Sequence, residues 1–332
     1  MRESEPPRRT GGRRAFLVRL AVSAALLLLL VGFVDWGQLA ARLRTAEPGA
    51  IAAVLALATA DRLLMAWKWW LLVRSRDAGL GLGTAVRAYY VASFAGYFLP
   101  MTVGADAVRI GALAGRARTA TLVASVVLER LIGALAQAVL AAVSVATLVA
   151  LGLGARIGPA QRWALGAAVT AAFLLFPLTF PAARALATRL APAAGGWRAA
   201  LGALCRQYAG YGASTGLLCA FFALTLVEGC LPVGIHFFAG RALGLDPGWS
   251  FFIATVPLVY LVARLPVSLG GLGFLELSFV SLAGLLGVSW TDAFAIAALA
   301  TSLYLVALAP GAVLYLVPEP LPVPVQPGKR AP

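Results

Sequence analysis

Histidine, cysteine and charge are scarce in this chain. Only 12% of its 332 residues are charged, three are Cys and one is His. The lone His236 excludes a His-rich metal site and the His-Glu-x-x-His pattern of zinc proteases. It reads as a helix–helix hydrogen bonder. Cys205, Cys219 and Cys230 have neither metal-ligand nor redox spacing, which leaves small packing residues and no disulfide framework. No Gly-x-x-x-x-Gly-Lys-Ser/Thr occurs, so the sequence offers no ATP drive of its own. With no Cys or Ser nucleophile elbow and no His base, the chain reads as a non-enzyme without a cofactor.

What is abundant is apolar surface and arginine. The composition is 61% hydrophobic and the formal net charge is +14. Long apolar stretches imply membrane spans. The basic residues flank those stretches, which points to anchoring on anionic lipid rather than to nucleic acid. Arg8, Arg9, Arg13, Arg14 and Arg19 precede an apolar run that reaches Val34. That run is long enough to be an uncleaved first span rather than a signal. The predicted spans are 15–34, 48–73, 120–152, 163–182, 211–240 and 292–317. Segments 84–104 and 249–289 are apolar but interrupted, and each reads as a helix–break–helix hairpin.

The expected fold is an all-α polytopic membrane protein with about six full spans plus two broken or re-entrant hairpins in inverted-repeat arrangement. With a cytoplasmic N-terminus, the outer segments carry only Arg42, Arg44, Arg156, Arg162 and Arg241. The other loop and tail basic residues lie inside, as the positive-inside rule requires. On this count the first hairpin enters from inside and the second from outside. A topology in which every hairpin arm crosses fits the charges equally. Both termini are expected in the cytoplasm, in a bacterial or archaeal-type cytoplasmic membrane. The division is a basic N-terminus (1–14), a membrane translocator domain (15–317) and a Pro-rich tail (318–332). Within the domain, a first half (about 15–182) and a second half (about 211–317) are joined by a connector (183–210). An amphipathic surface helix is expected from Ala183 to Leu190.

The two interruptions share a pattern. Leu99-Pro100 is followed by Gly104, Asp106 and Arg109. Leu265-Pro266 is followed by Ser268, Gly270, Gly271, Gly273 and Glu276. Pro removes an N–H and Gly tolerates non-helical backbone. Broken backbone at membrane depth survives only inside protein or beside a wet cavity. Paired breaks in two halves point to a transporter's binding site. Ionisable residues at that depth are functional candidates by default. Asp106 and Arg109 share a helix face at i, i+3, either as a structural pair or with Arg109 on a phosphate beside the free N–H groups near Gly104. Ser125, Glu129, Gly133 and Gln137 recur at i+4 as a polar, small-residue stripe, with Arg130 about 100° away. Glu129 is either a structural ion-pair partner or a cavity group. Glu276 is open to orienting Arg264, contacting a cationic headgroup or carrying a proton. Glu228 precedes Pro232 by one turn and marks a kink that can line a pathway. Asp61-Arg62 reads as a local structural pair. Trp67, Trp69 and Trp70 beside Lys68 and Arg74 read as an interfacial belt. Tyr89, Tyr90 and Tyr97 are better placed to line a headgroup site.

These motifs resemble the transmembrane-region family of lysylphosphatidylglycerol synthases, a flippase-like domain. Its "LP…GGDxxR", "S…ER" and "LPxSxGGxGxxE" segments stand here as Leu99-Pro100…Gly104-Ala105-Asp106…Arg109, Ser125…Glu129-Arg130 and Leu265-Pro266…Ser268…Gly270-Gly271…Gly273…Glu276. The likeness covers about 15–317. It departs at Ala105, where the family has a second Gly. The resemblance implies a stand-alone member, without the aminoacyl-transferase domain, that moves a polar-headgroup lipid between leaflets. Aminoacylated or anionic phospholipid and polyprenyl-linked lipid are the substrate classes it implies. Two alternatives stay open: an accessory subunit of a lipid synthase or glycosyltransferase partner, and a membrane enzyme acting on lipid headgroups.

Overall fold

A computed structural model describes residues 36–98, 102–153, 158–191, 195–264 and 273–316. The predicted span 15–34, the basic segment 1–14 and the tail 318–332 lie outside the described residues. The described residues are helical throughout apart from turns and one isolated bridge. In chain order the helices are α1 (Trp36–Arg44), α2 (Pro48–Arg74), α3 (Leu82–Phe98), α4 (Thr102–Ala112), α5 (Thr119–Ala150) and α6 (Pro159–Leu175). A 3-10 turn (Phe176–Leu178) then leads into α7 (Thr179–Leu190). It is followed by α8 (Gly196–Tyr211), α9 (Thr215–Ala242), α10 (Trp249–Val262), α11 (Phe274–Leu285) and α12 (Trp290–Leu316).

Length sorts these helices. α2, α5, α9, α12 and the continuous stretch Pro159–Leu190 are long and apolar enough to cross a bilayer, making the protein multi-pass. At 1.5 Å per residue α5 reaches about 48 Å, so it tilts or protrudes. The arms of the two interrupted segments are short. α4, α10 and α11 reach only about 16–21 Å, well under the ~30 Å hydrocarbon core. The span expected at 163–182 begins at Pro159, at the favoured N1 position for Pro, and runs through the 3-10 turn at Pro177 into α7. The connector 183–210 is largely helical, with α7 packed lengthwise on α8. The expected surface helix at Ala183–Leu190 is the end of α7.

The helices pair in a repeated pattern. α2 packs on α9 in the most extensive contact of the fold, and α2 also touches α12 while α9 touches α5. α3 packs on α12 and α10 packs on α5, whereas α4 meets α5 and α11 meets α12. Polar groups bind α10 to α5. Pro257 in α10 has no N–H, which frees the carbonyl of Ile253 one turn earlier. Ser144 Oγ of α5 donates to that carbonyl at 2.7 Å, and Gln137 Nε2 donates to the Pro257 carbonyl at 2.7 Å. The largest apolar core joins Val54 and Ala58 of α2 to α9–α12. Outer faces stay apolar and exposed, as at Leu174, Val306 and Leu316, which is the composition a lipid-facing surface needs.

Close approach holds the first hairpin together. A methyl group added at Gly96 of α3 would run into Cβ of Ala105 and come within 3.0 Å of its Cα on α4. Gly96 thus accommodates the side chain at the one position where the first motif carries Ala for Gly. Gly96→Ala is expected to lower stability by about 1–3 kcal/mol through overpacking. Adding Ala105→Gly is expected to recover most of that loss. Thermal unfolding of the two variants in detergent measures both effects, and equal losses in the single and double variants would exclude this contact as the cause.

Candidate functional site

α2, α3, α4, α5, α9, α10, α11 and α12 enclose a cavity of about 440 Å³. Gly96, Ala105 and Asp106, which flank the first Leu-Pro break, line it. So do Arg264 and Leu275, which flank the second. The described ends of both hairpins therefore meet at one cavity. Pro100, Pro266, Ser268, Gly270 and Gly271 lie outside the described residues, as does the Tyr97 side chain, whose backbone is in α3.

One wall is built around Arg109, which is only 3% exposed. An ionised side chain so far from water needs opposite charge and hydrogen bonds. Arg109 Nη2 lies 2.8 Å from Asp106 Oδ1, one turn earlier on α4, and 2.8 Å from Glu129 Oε2 on α5. Its guanidinium sits 4.3 Å from the Trp69 ring centre and 4.7 Å from that of Tyr89. Both rings offer their negative faces to the cation. Their polar ends are also satisfied. Tyr89 donates to Glu129 Oε1 at 3.3 Å and Trp69 Nε1 donates to Ser125 Oγ at 3.0 Å. Arg130 completes the cluster by pairing with Asp106 Oδ2. Arg109 thus closes the hairpin onto α5, and the Glu129 partner comes from the same half of the chain.

The opposite wall joins the two halves. Lys68 on α2 is 1% exposed and contacts Glu228 Oε2 on α9 at 2.5 Å and Thr225 Oγ1 at 3.1 Å. Arg62 pairs with Asp61 at 2.6 Å and lies over the Tyr304 ring, while the Tyr304 hydroxyl reaches Asp61 at 3.4 Å. His236 Nδ1 bonds the Pro232 carbonyl at 2.8 Å. That bond stays inside α9 rather than linking helices. The i+4 stripe on α5 is fully used: Ser125 holds Trp69, Glu129 holds Arg109, Gln137 holds Pro257, and the Gly133 carbonyl accepts from Arg264 at 2.8 Å.

Glu276 is placed differently. It is 4% exposed and occupies the third position of α11. One carboxylate oxygen accepts the Gly273 N–H at 2.7 Å and the other accepts the Thr301 hydroxyl at 2.7 Å. Gly273 has φ +77°, a conformation that favours glycine, and Glu276 satisfies its otherwise free N–H. The carboxylate is therefore engaged one layer behind Thr301, which lines the cavity, and does not contact Arg264. Gly104 lies in the first turn of α4, among the N–H groups that a helix leaves free.

Arg264 is the lining cation whose described neighbours include no carboxylate within ion-pair distance; its described bond goes to a carbonyl. The local reading of the sequence did not single out Arg264, Lys68 or Tyr304 as site residues. For Lys68 a signal existed: Asp61, Met65 and Lys68 fall at i, i+4, i+7 and share one helix face.

Among the described residues no cluster of His, Cys, Asp or Glu is arranged to hold a metal ion. The lining chemistry is guanidinium, carboxylate, hydroxyl and amide, which suits binding of a polar, charged group. Replacing Lys68 by Met strands the Glu228 carboxylate. The expected cost is about 3 kcal/mol, because an uncompensated buried charge is left. Combining Lys68→Met with Glu228→Gln is expected to restore most of it. Chemical or thermal unfolding of the two variants checks this, and a harmless Lys68→Met would remove the pair from the stability of the fold.

A family model described as the lysylphosphatidylglycerol synthase TM region matches residues 16–311. A comparison with curated proteins finds no match. The matched stretch takes in both hairpins and every residue that lines the cavity. The chain therefore belongs to the lysylphosphatidylglycerol synthase transmembrane-region family.

Proposed function

We propose that this protein moves a phosphate-bearing lipid between leaflets without altering it chemically. The observation that carries the proposal is the charge arrangement of the cavity. Arg62, Lys68, Arg109, Arg130 and Arg264 line it, against Asp106, Glu129 and Glu228. Each of these three carboxylates already holds a described cation. Arg264 has no such partner among the described residues. An entering anion is thus favoured, whereas an amine meets carboxylates already engaged. A volume of about 440 Å³ suits a polar headgroup, with the acyl chains left in the surrounding bilayer. The phosphate is assigned to Arg264, with Arg130 as a second lining guanidinium.

The exchange of partners between α5 and α12 supports an inverted repeat. Each hairpin sends its first arm to the long helix of the other half and its second arm to the long helix that follows it. Such a relation gives a transporter two equivalent ways to face the membrane.

Leaflet exchange in liposomes tests this reading. Headgroup-labelled phosphatidylglycerol, lysylphosphatidylglycerol and a polyprenyl phosphate are compared, with and without a pH gradient. Exchange of at least one phosphate lipid is expected, and Arg264→Gln is expected to slow it roughly tenfold by removing a charge-assisted hydrogen bond. Arg241→Gln, outside the cavity lining, is expected to leave the rate unchanged. Wild-type rates equal to those of empty vesicles under both conditions would overturn transport by this chain and favour an accessory role beside a synthase or glycosyltransferase. Unchanged exchange in Arg264→Gln would overturn the phosphate assignment.

A further inference from the structure

The second large cavity is a groove of about 590 Å³ on the outer side of the bundle, away from the charged cavity. α5, the bend between α6 and α7, the end of α8 and the start of α9 form it. Phe173, Phe176, Phe180, Leu218 and Phe222 supply most of its apolar wall, and Arg184 of α7 supplies its cation. The aromatic wall is held by ring packing: Phe173 meets Phe222 edge-on at 5.5 Å, and Phe180 stacks on Tyr208 at 5.2 Å. Tyr208 and Thr179 share a hydrogen bond of 2.7 Å, which ties α8 to the bend. The groove is therefore a built depression between fixed elements. Its outer wall, α6, buries none of its residues inside the protein.

The charge around the groove has one sign. No Asp or Glu occurs between Glu129 and Glu228, while that stretch carries Arg184, Arg189, Arg198 and Arg206 on α7 and α8. Among the described residues no carboxylate lines the groove. Within a membrane protein, an apolar slot with an arginine matches one kind of molecule: an acyl chain in the slot and a phosphate on the guanidinium. The missing carboxylates act against other lipids. The ammonium of a zwitterionic lipid, or of an aminoacylated one, would find no partner there.

We propose that this groove is a binding site for a net-anionic phospholipid of the phosphatidylglycerol type, with its phosphate on Arg184 and one chain against the Phe173–Phe222 wall. The site is separate from the central cavity and independent of what that cavity carries. It seats a lipid between a membrane-crossing helix and the connector of the two halves.

Photo-crosslinking tests the proposal. The full chain is reconstituted with phosphatidylglycerol or phosphatidylcholine carrying a diazirine in one acyl chain, irradiated and digested. Labelling is compared on peptides spanning 173–184 and 209–222, with the outer face of α12 as the reference for bulk lipid. The phosphatidylglycerol-to-phosphatidylcholine ratio in the groove is expected to exceed the reference about fivefold, the scale of one arginine–phosphate contact. Arg184→Gln is expected to bring it down to the reference. Arg189→Gln, on the same helix but not lining the groove, is expected to leave it high. A wild-type ratio equal to that on α12 would mean bulk lipid only and would overturn the site. Groove peptides shielded from both probes, together with crosslinked dimers, would assign the groove to a second copy of the chain instead.

Discussion

The arrangement depends on keeping a guanidinium charged where there is no water to solvate it. Arg109 is buried at the end of a short helix that cannot itself cross the membrane. The charge is tolerable only because α4, α5, α2 and α3 each bring something to it: Asp106, Glu129, Trp69 and Tyr89. Loss of both carboxylates would leave an uncompensated charge in a low-dielectric interior, at a cost of about 3–5 kcal/mol, whereas loss of one ring removes a cation–π contact of about 0.5–2 kcal/mol. The cluster therefore specifies where α4 lies. A short apolar helix could slide along its neighbours with little loss of buried area. A guanidinium with two carboxylates and two ring faces has one position. The cavity wall inherits that position, since Asp106 and Ala105 belong to the same turn of helix.

The second wall follows the same rule with less redundancy. Lys68 and Glu228 are the charged contact between the most extensively packed helices of the two halves, and Thr225 takes a further Lys68 donor. A buried ion pair adds little net stability, because desolvation offsets its attraction. Apolar packing of α2 on α9 supplies the attraction, and the ion pair sets how far one helix is shifted along the other.

What was legible in the sequence is what depends on local chemistry. Each interrupted segment falls between two separate described helices, α3 and α4 for the first and α10 and α11 for the second, as Pro and Gly acting on their own backbone lead one to expect. The α5 stripe was visible because i+4 spacing fixes a face whatever lies opposite it. Long spans followed from composition. Misplaced features were those where neighbours in sequence are not neighbours in space. Lys68 stands among Trp67, Trp69, Trp70 and Arg74, which together look like a membrane-interface belt. In the helix, Trp67 points outward at 40% exposure, while Lys68 and Trp69 are almost fully buried. Glu276 drew attention as a charge near a break, yet its separation of three from Gly273 is also the spacing of a helix N-terminal cap. Arg264 differs again. Nothing local distinguishes it, because what matters is that its described partner is a carbonyl of another helix rather than a carboxylate.

The attachments of the hairpins say how the two halves are tied together. α3 is bound to α12, with Arg87 Nη2 donating to the Leu314 carbonyl at 2.7 Å, while α4 is bound to α5 through Arg109 and Arg130. α10 is bound to α5 through Gln137, Ser144 and Arg264, while α11 is bound to α12 through Glu276 and Thr301. The two arms of each hairpin thus belong to different long helices. The first pair of arms is itself closely packed, Gly96 against Ala105, so α3 and α4 also link α12 to α5 across the hairpin. All four arms line the cavity. Its shape therefore depends on how α5 and α12 sit relative to one another, and α2 ties in beside it, to α9 through Lys68–Glu228 and to α12 through Asp61–Tyr304.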